Sequence, residues 1–164
     1  MMNETICISG GFDPVHIGHL RMIREAAQFG RLIVIVNSDE WLMRKKGYIF
    51  MPFNERCEIL KGFEGVHETV CVDDSDGTVC KALEYLKPTY FANGGDRGST
   101  NTPEQALCEK LGIKLLWYIG GGKVQSSTTL VDAAQMLLPL SPGDEDIPKP
   151  SKVQVLTAYD LPKK

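Results

Sequence analysis

Paired cysteines are missing from this sequence. Its five cysteines, Cys7, Cys57, Cys71, Cys80 and Cys108, are odd in number and include no C-x-x-C pair. That excludes a regular disulfide framework and a zinc site of ordinary spacing. Buried free thiols in a reducing cytoplasm are the expectation. A basic excess is missing as well. Lys and Arg total 18 against 21 Asp and Glu, a formal net charge of −3, so generic binding of a nucleic-acid backbone is not expected. Apolar runs such as Leu32–Val36 fall far short of the roughly 20 residues that span a bilayer. The start, Met1-Met2-Asn3-Glu4, lacks the basic and long apolar stretches of a signal peptide. Internal repeats are absent.

What remains is a chain of 164 residues, 43% hydrophobic and 24% charged. That is one domain's worth of chain, able to bury a core without disulfides and too apolar to be disordered. Two zones differ. Residues 1–138 alternate apolar strands with helical stretches, whereas residues 139–164 hold five of the nine prolines and no periodicity. The second zone reads as an extended tail, in which Val153–Leu156 is suited to an edge strand or a partner contact.

Within the first zone, Thr5–Ile8 reads as a buried strand and Gly18–Phe29 as a helix stopped by Gly30. Arg31–Val36, apolar inside, suits a central parallel strand. Asn54–Phe63 follows as a helix, Thr69–Val72 as a strand, Val79–Leu86 as a helix ended by Pro88, and Thr89–Ala92 as a strand. Thr102, Pro103 and Gln105 spell a capping box before a helix that ends at Gly112. Ile113–Ile119 is a fifth strand and Ser126–Leu138 a last helix. The alternation predicts a single α/β domain: a Rossmann-like, doubly wound parallel sheet with five core strands. Such sheets bind ligands beyond the carboxyl ends of their strands, at the switch point.

The first strand runs into Ser9-Gly10-Gly11-Phe12-Asp13-Pro14-Val15-His16-Ile17-Gly18-His19. Glycines let a ligand approach the backbone. His16 and His19 stand at a helix entrance, where free N–H groups and the dipole attract an anion. A lone histidine is usually a satisfied polar residue; two imidazoles with glycines at a helix start form a phosphate-handling site. Zinc is not expected there, because no third ligand follows at suitable spacing. His67, between a helix and a strand, reads as surface. Gly94-Gly95-Asp96-Arg97 ends the fourth strand and faces the same cleft. Ser126-Ser127-Thr128-Thr129 follows Gly120-Gly121-Gly122-Lys123 and opens the last helix, an anion cradle of hydroxyls and free N–H groups. Asp73-Asp74-Ser75-Asp76 reads as a solvated loop, since it lacks calcium-loop spacing.

The H-x-G-H block, Gly11 to His19, resembles the signature of the cytidylyltransferase-like nucleotidyltransferases. Asn37-Ser38-Asp39, Arg44-Lys45-Lys46-Gly47, Pro52 and Glu55-Arg56 resemble the middle of heptose-phosphate adenylyltransferases. Glycerol-3-phosphate cytidylyltransferases have a similar pattern. Gly94-Gly95-Asp96 and Ser126–Thr129 are similar to the later nucleotide-contacting segments, and the blocks run in order over residues 5–131.

The resemblance implies transfer of a nucleotidyl group from CTP or ATP to a small phosphorylated polyol, sugar or phosphonate, with release of pyrophosphate. Catalysis would fall to His16, His19 and Lys46, with Lys46 reaching over from the loop after the second strand. The nucleotide would meet Gly10, Gly11, Phe12, Asp13, Gly18, Gly94, Gly95, Asp96, Arg97, Lys123, Ser126, Ser127, Thr128 and Thr129. The acceptor would meet Asn37, Asp39, Arg44 and Arg56. Mg²⁺ would arrive with the triphosphate, without a protein metal site, and the chain would form a homodimer.

This chain departs from the pattern twice. Some members carry an arginine after the hydroxyl segment; here that position is Val131, and Lys123 is placed to act from the other side. Heptose-type enzymes often have an aromatic residue where this chain has Arg97. Two other readings stay open. One is a coenzyme-pathway adenylyltransferase for a mononucleotide or phosphopantetheine, which Pro14 resembles and Asn37-Ser38-Asp39 does not. The other is a non-catalytic nucleotide-binding domain.

Overall fold

Strand side chains alternate between two faces, and this sequence fills both with apolar groups. The computed structural model describes residues 3–95 and 102–137. Ile6, Ile8, Leu32, Val34 and Val36 point to one face and pack with Ile23, Ala26 and Leu60. Cys7, Ile33, Ile35 and Phe91 point to the other and pack with Leu83 and Cys108. Both faces of the sheet are thus covered, as a parallel sheet requires.

The chain runs β1 (Thr5–Gly10), α1 (Ile17–Ala26), β2 (Arg31–Val36), α2 (Asp39–Lys46), α3 (Phe53–Lys61), β3 (Val66–Cys71), α4 (Cys80–Leu86), β4 (Tyr90–Gly94), α5 (Pro103–Leu111), β5 (Lys114–Ile119) and α6 (Ser127–Leu137). The five strands are parallel, in the order β3-β2-β1-β4-β5. The winding reverses between β1 and β4, so the switch point opens where these two strands end. Between β4 and β5 the register shifts by a residue near Tyr118, whose φ is 59°. Such a bulge re-aims the end of an edge strand, and Ile119 is buried in the core beside it.

The expected elements are all present, with corrections. The region after β2, read as a loop, contains α2, capped at its start by Ser38 and closed by Gly47 at φ 80°. Only Leu42 of that helix is buried, so it has no apolar stripe to betray it. α1 stops at Ala26, before Gly30, because the amides of Gln28 and Phe29 turn back to the Glu25 and Ala26 carbonyls. Thr102 caps α5 through the Gln105 amide, but the Gln105 side chain turns to Glu109, so only half of the expected box forms. Cys7 and Cys108 are buried free thiols as expected, whereas Cys71 is exposed. The tail at 139–164, with Val153–Leu156, lies outside the described residues, as do Asp96 and Arg97.

Candidate active site

At the end of β1 the chain enters α1 through the histidines themselves. His16 is the N-cap residue, and its Nδ1 accepts from the Gly18 amide at 3.1 Å. His19 at the third helical position returns the bond: its Nδ1 accepts from the His16 amide at 3.1 Å. The pair is a capping box built from two imidazoles. Their rings stack at 3.8 Å, and His19 sits edge-on to Phe12 at 4.9 Å.

A backbone N–H can only donate, so each Nδ1 is an acceptor and each ring proton sits on Nε2. The N–H groups expected to be free here are therefore partly spent on the caps, and Nε2–H is what each histidine offers. Burial pushes both rings below the ordinary histidine range. For His16 the cations Lys46 and Lys123 add to this. For His19 the neighbours His16 and Lys46 do, and it falls to about 3. Both imidazoles are neutral near pH 7.

Lys46 reaches the site from the last turn of α2. Its ammonium donates to the Asp13 carbonyl at 3.2 Å and lies 6.0 Å from the centre of the Tyr48 ring. Burial lowers its pKa, and the positive charge of Arg56 adds to that, while Asp13 acts the other way. Its neighbour Lys45 is exposed, because consecutive residues of a helix point about 100° apart.

Three buried charges hold this half of the site in place. Arg56 is fully buried and donates to the carbonyls of Met51, Gly11 and Asn37 and to the Asp39 carboxylate. Asp13 accepts from the Phe50 and Met51 amides at 2.7 and 2.5 Å, and burial pushes its carboxyl pKa up against those bonds. Asp74 accepts from the Asn37 side chain and from the amide and hydroxyl of Ser38, while Arg44 donates to its carbonyl. Asp74 is 3% exposed, which corrects the reading of its loop as solvated; Asp73 and Asp76 are at the surface, bonded to Ser75 and Thr78.

Asn37, Asp39, Arg44 and Arg56, expected at the acceptor, are thus bonded within the protein. Asn37 and Arg56 are buried and hold the loops that carry the site.

The facing wall is made of glycine. A Cβ on Gly95 would fall 2.0 Å from the Gly121 carbonyl oxygen, so β4 and the loop after β5 touch backbone to backbone there. Gly120 has φ 88°, and a Cβ on it would strike Met22 of α1; its amide donates to the Glu25 carboxylate at 2.7 Å. Only glycine suits both positions. From this loop the chain enters α6, where the Ser126 hydroxyl accepts from the Thr129 amide at 3.1 Å and the Ser127 hydroxyl donates to the Pro14 carbonyl at 2.8 Å. Val131 is 2% exposed and faces the core.

Between the two walls lies a cleft of about 260 Å³. It brings together His16, Gly18, His19, Lys46, Gly94, Gly95, Lys123, Ser126, Ser127 and Thr128, distant in sequence and expected at one site. Gly10, Gly11, Phe12, Asp13 and Thr129 do not line it; Phe12 and Asp13 are buried beneath. Met22, Ile119, Val124 and Gln125 line it and were missed. The glycine run before Lys123 signalled this loop, but nothing in the sequence signals Met22 or Ile119. Among the described residues no lining residue is acidic, and no group of three His, Cys, Asp or Glu side chains is placed to hold a metal. His67 is exposed and contacts Arg31, away from the cleft. A lining of ammonium, imidazole, hydroxyl and amide donors is suited to a polyanion.

Comparison with known proteins agrees with this geometry. The family model described as "Cytidylyltransferase-like" matches residues 7–135. The "Bifunctional protein HldE" of Streptomyces coelicolor is 35% identical over 136 residues, which is 79% of this chain and 28% of that protein. The chain therefore spans little more than a quarter of that relative. An "FAD synthase" of Ferroglobus placidus is 28% identical over 111 residues, 68% of this chain and 72% of that one. Among solved structures, a lipopolysaccharide core biosynthesis protein from Thermoplasma volcanium superposes with a TM-score of 0.58 at 25% identity, covering 70% of this chain and 93% of that one.

Proposed function

Because this chain belongs to the cytidylyltransferase-like family, we propose that it transfers a nucleotidyl group from ATP or CTP to a small phosphorylated polyol, sugar or phosphonate. An oxygen of the acceptor phosphate attacks the α-phosphorus in line. The bond to the β-phosphate breaks, and pyrophosphate leaves with the electron pair. No covalent enzyme intermediate is needed, so catalysis consists of positioning and electrostatic stabilisation.

His16 and His19 donate from Nε2–H to phosphate oxygens, and their cap bonds fix both rings before the nucleotide arrives. Lys46 lies between the first loop and the open cleft, where its ammonium bridges the acceptor phosphate and the α-phosphate. Lys123 meets the terminal phosphates from the far wall, in place of a residue at Val131. Gly94 and Gly95 line the part of the cleft that takes the base and ribose. Mg²⁺ would come with the triphosphate and supply charge neutralisation there; among the described residues no carboxylate lines the cleft, which suits an ion carried by the nucleotide rather than by the protein. A homodimer in the cytoplasm is part of this reading. No helix among the described residues is long and apolar enough to cross a membrane.

The observation that carries the proposal is the convergence of His16, His19, Lys46 and Lys123 on one cleft at the switch point of the sheet. A second reading, a coenzyme-pathway adenylyltransferase, is favoured by the similarity to an FAD synthase. The test is pyrophosphate release, with and without EDTA, for ATP and CTP against a panel of acceptors. The panel spans glycerol 3-phosphate, sugar 1-phosphates, phosphonates, riboflavin 5′-phosphate, nicotinate mononucleotide and phosphopantetheine. Metal-dependent release with a polyol, sugar or phosphonate acceptor is expected. Release with only the last three establishes the second reading. Triphosphate binding without release from any pair leaves a non-catalytic nucleotide-binding domain.

A further inference from the structure

We propose that Gln125 is a ligand of the nucleotide's phosphate chain, a role that rests on the nucleotidyl-transfer reading above. The hydroxyls next to it are largely committed inside the protein. Ser127 gives its proton to the Pro14 carbonyl at 2.8 Å. Ser126 accepts from the Thr129 amide at 3.1 Å and pairs with the Thr129 hydroxyl at 2.6 Å. Gln125 differs. It lines the cleft together with His16, Lys46 and Lys123, and its side-chain oxygen accepts from the Ser126 amide at 3.0 Å. That bond occupies the acceptor end of the carboxamide and so identifies the other end as NH₂. No acceptor among the described residues takes those two N–H groups. A carboxamide held by its oxygen at the entrance of α6, with two unspent donors in a donor-lined cleft, is complementary to phosphate oxygens.

The experiment uses Gln125→Glu and Gln125→Ala in the full chain. Glutamate keeps an oxygen for the Ser126 amide but replaces both donors with a negative charge. Fold and ligand then respond with opposite sign. A carboxylate ahead of α6 is favourable to the helix dipole, so the melting temperature holds or rises, while the same charge repels phosphate.

Affinities for ATP, CTP, AMP and CMP are measured by calorimetry with Mg²⁺ present. Gln125→Glu is expected to weaken the triphosphates about 30-fold or more and the monophosphates less than about 3-fold, with Gln125→Ala losing roughly 3- to 10-fold on the triphosphates. Equal losses on mono- and triphosphates overturn the proposal, because a phosphate ligand must lose more where there is more phosphate. Wild-type affinity in Gln125→Glu overturns it too. A wild-type protein that binds neither triphosphate overturns it together with the reading beneath it.

Discussion

Arg56 offers the sharpest separation between a residue that binds substrate and one that builds the site. It is fully buried, and its four bonds span 2.7–2.9 Å. Arg56→Met keeps most of the volume and removes every donor. Three carbonyls, of Met51, Gly11 and Asn37, lose their partner. The Asp39 carboxylate, 29% exposed, recovers water and costs less. With about 1–2 kcal/mol for each orphaned carbonyl, the loss comes to roughly 3–6 kcal/mol. For a domain of this size that is about 6–24 °C in Tm. Arg56→Lys should recover only part, because an ammonium on a shorter reach cannot serve three carbonyls in fixed directions. Urea and thermal unfolding followed by circular dichroism measure both variants. A loss below about 1 kcal/mol, together with a large rise in the acceptor KM, would refute the structural role and return Arg56 to the substrate.

Turnover should fall by about two to four orders of magnitude in His16→Ala and in His19→Ala with the fold retained, and near-wild-type pyrophosphate release from either variant would remove the histidines from the chemistry. Lys46→Ala should lower kcat more than it raises the triphosphate KM, while exposed Lys45 tolerates alanine; steady-state kinetics on both variants decides between the two lysines. The pKa of His19, depressed to about 3 from 6.5, means that the unfolded chain takes up a proton first as pH falls. The stability it contributes is therefore full above pH 6.5 and lost on acidification towards about pH 3, by about 1.4 kcal/mol per pH unit within that window. Glutamine also suits this third helical position, so urea unfolding of His19→Gln at several pH values should show a shallower acid slope; an unchanged slope rules the linkage out. Gly95→Ala places a methyl 2.0 Å from a backbone oxygen and should cost about 3 kcal/mol or more, as read by thermal unfolding.

Local signals were legible in the sequence wherever one stretch of chain both carries the signal and makes the structure. Leu32–Val36 forms β2 because an apolar β-branched run suits a strand buried on both faces. Thr102, Pro103 and Gly112 bound α5 because caps act within a few residues. His16 and His19 could be placed together because they are three positions apart at a helix start. Gly94-Gly95 could be placed in the same cleft because it ends the fourth strand, whereas the convergence with Lys46 came from resemblance across the whole chain.

The roles of Asp13, Arg56 and Asp74 were decided by the tertiary structure alone. As residue types they are surface residues by default, and their partners lie 30 or more residues away in several of these bonds. The same applies to Gln125 and Met22, which reach the cleft because α1 and the glycine loop pack together. A charge far from its partner in sequence carries no local mark of burial. Whether it meets water or a ring of carbonyls depends on how the sheet brings separate loops to the ends of β1 and β4.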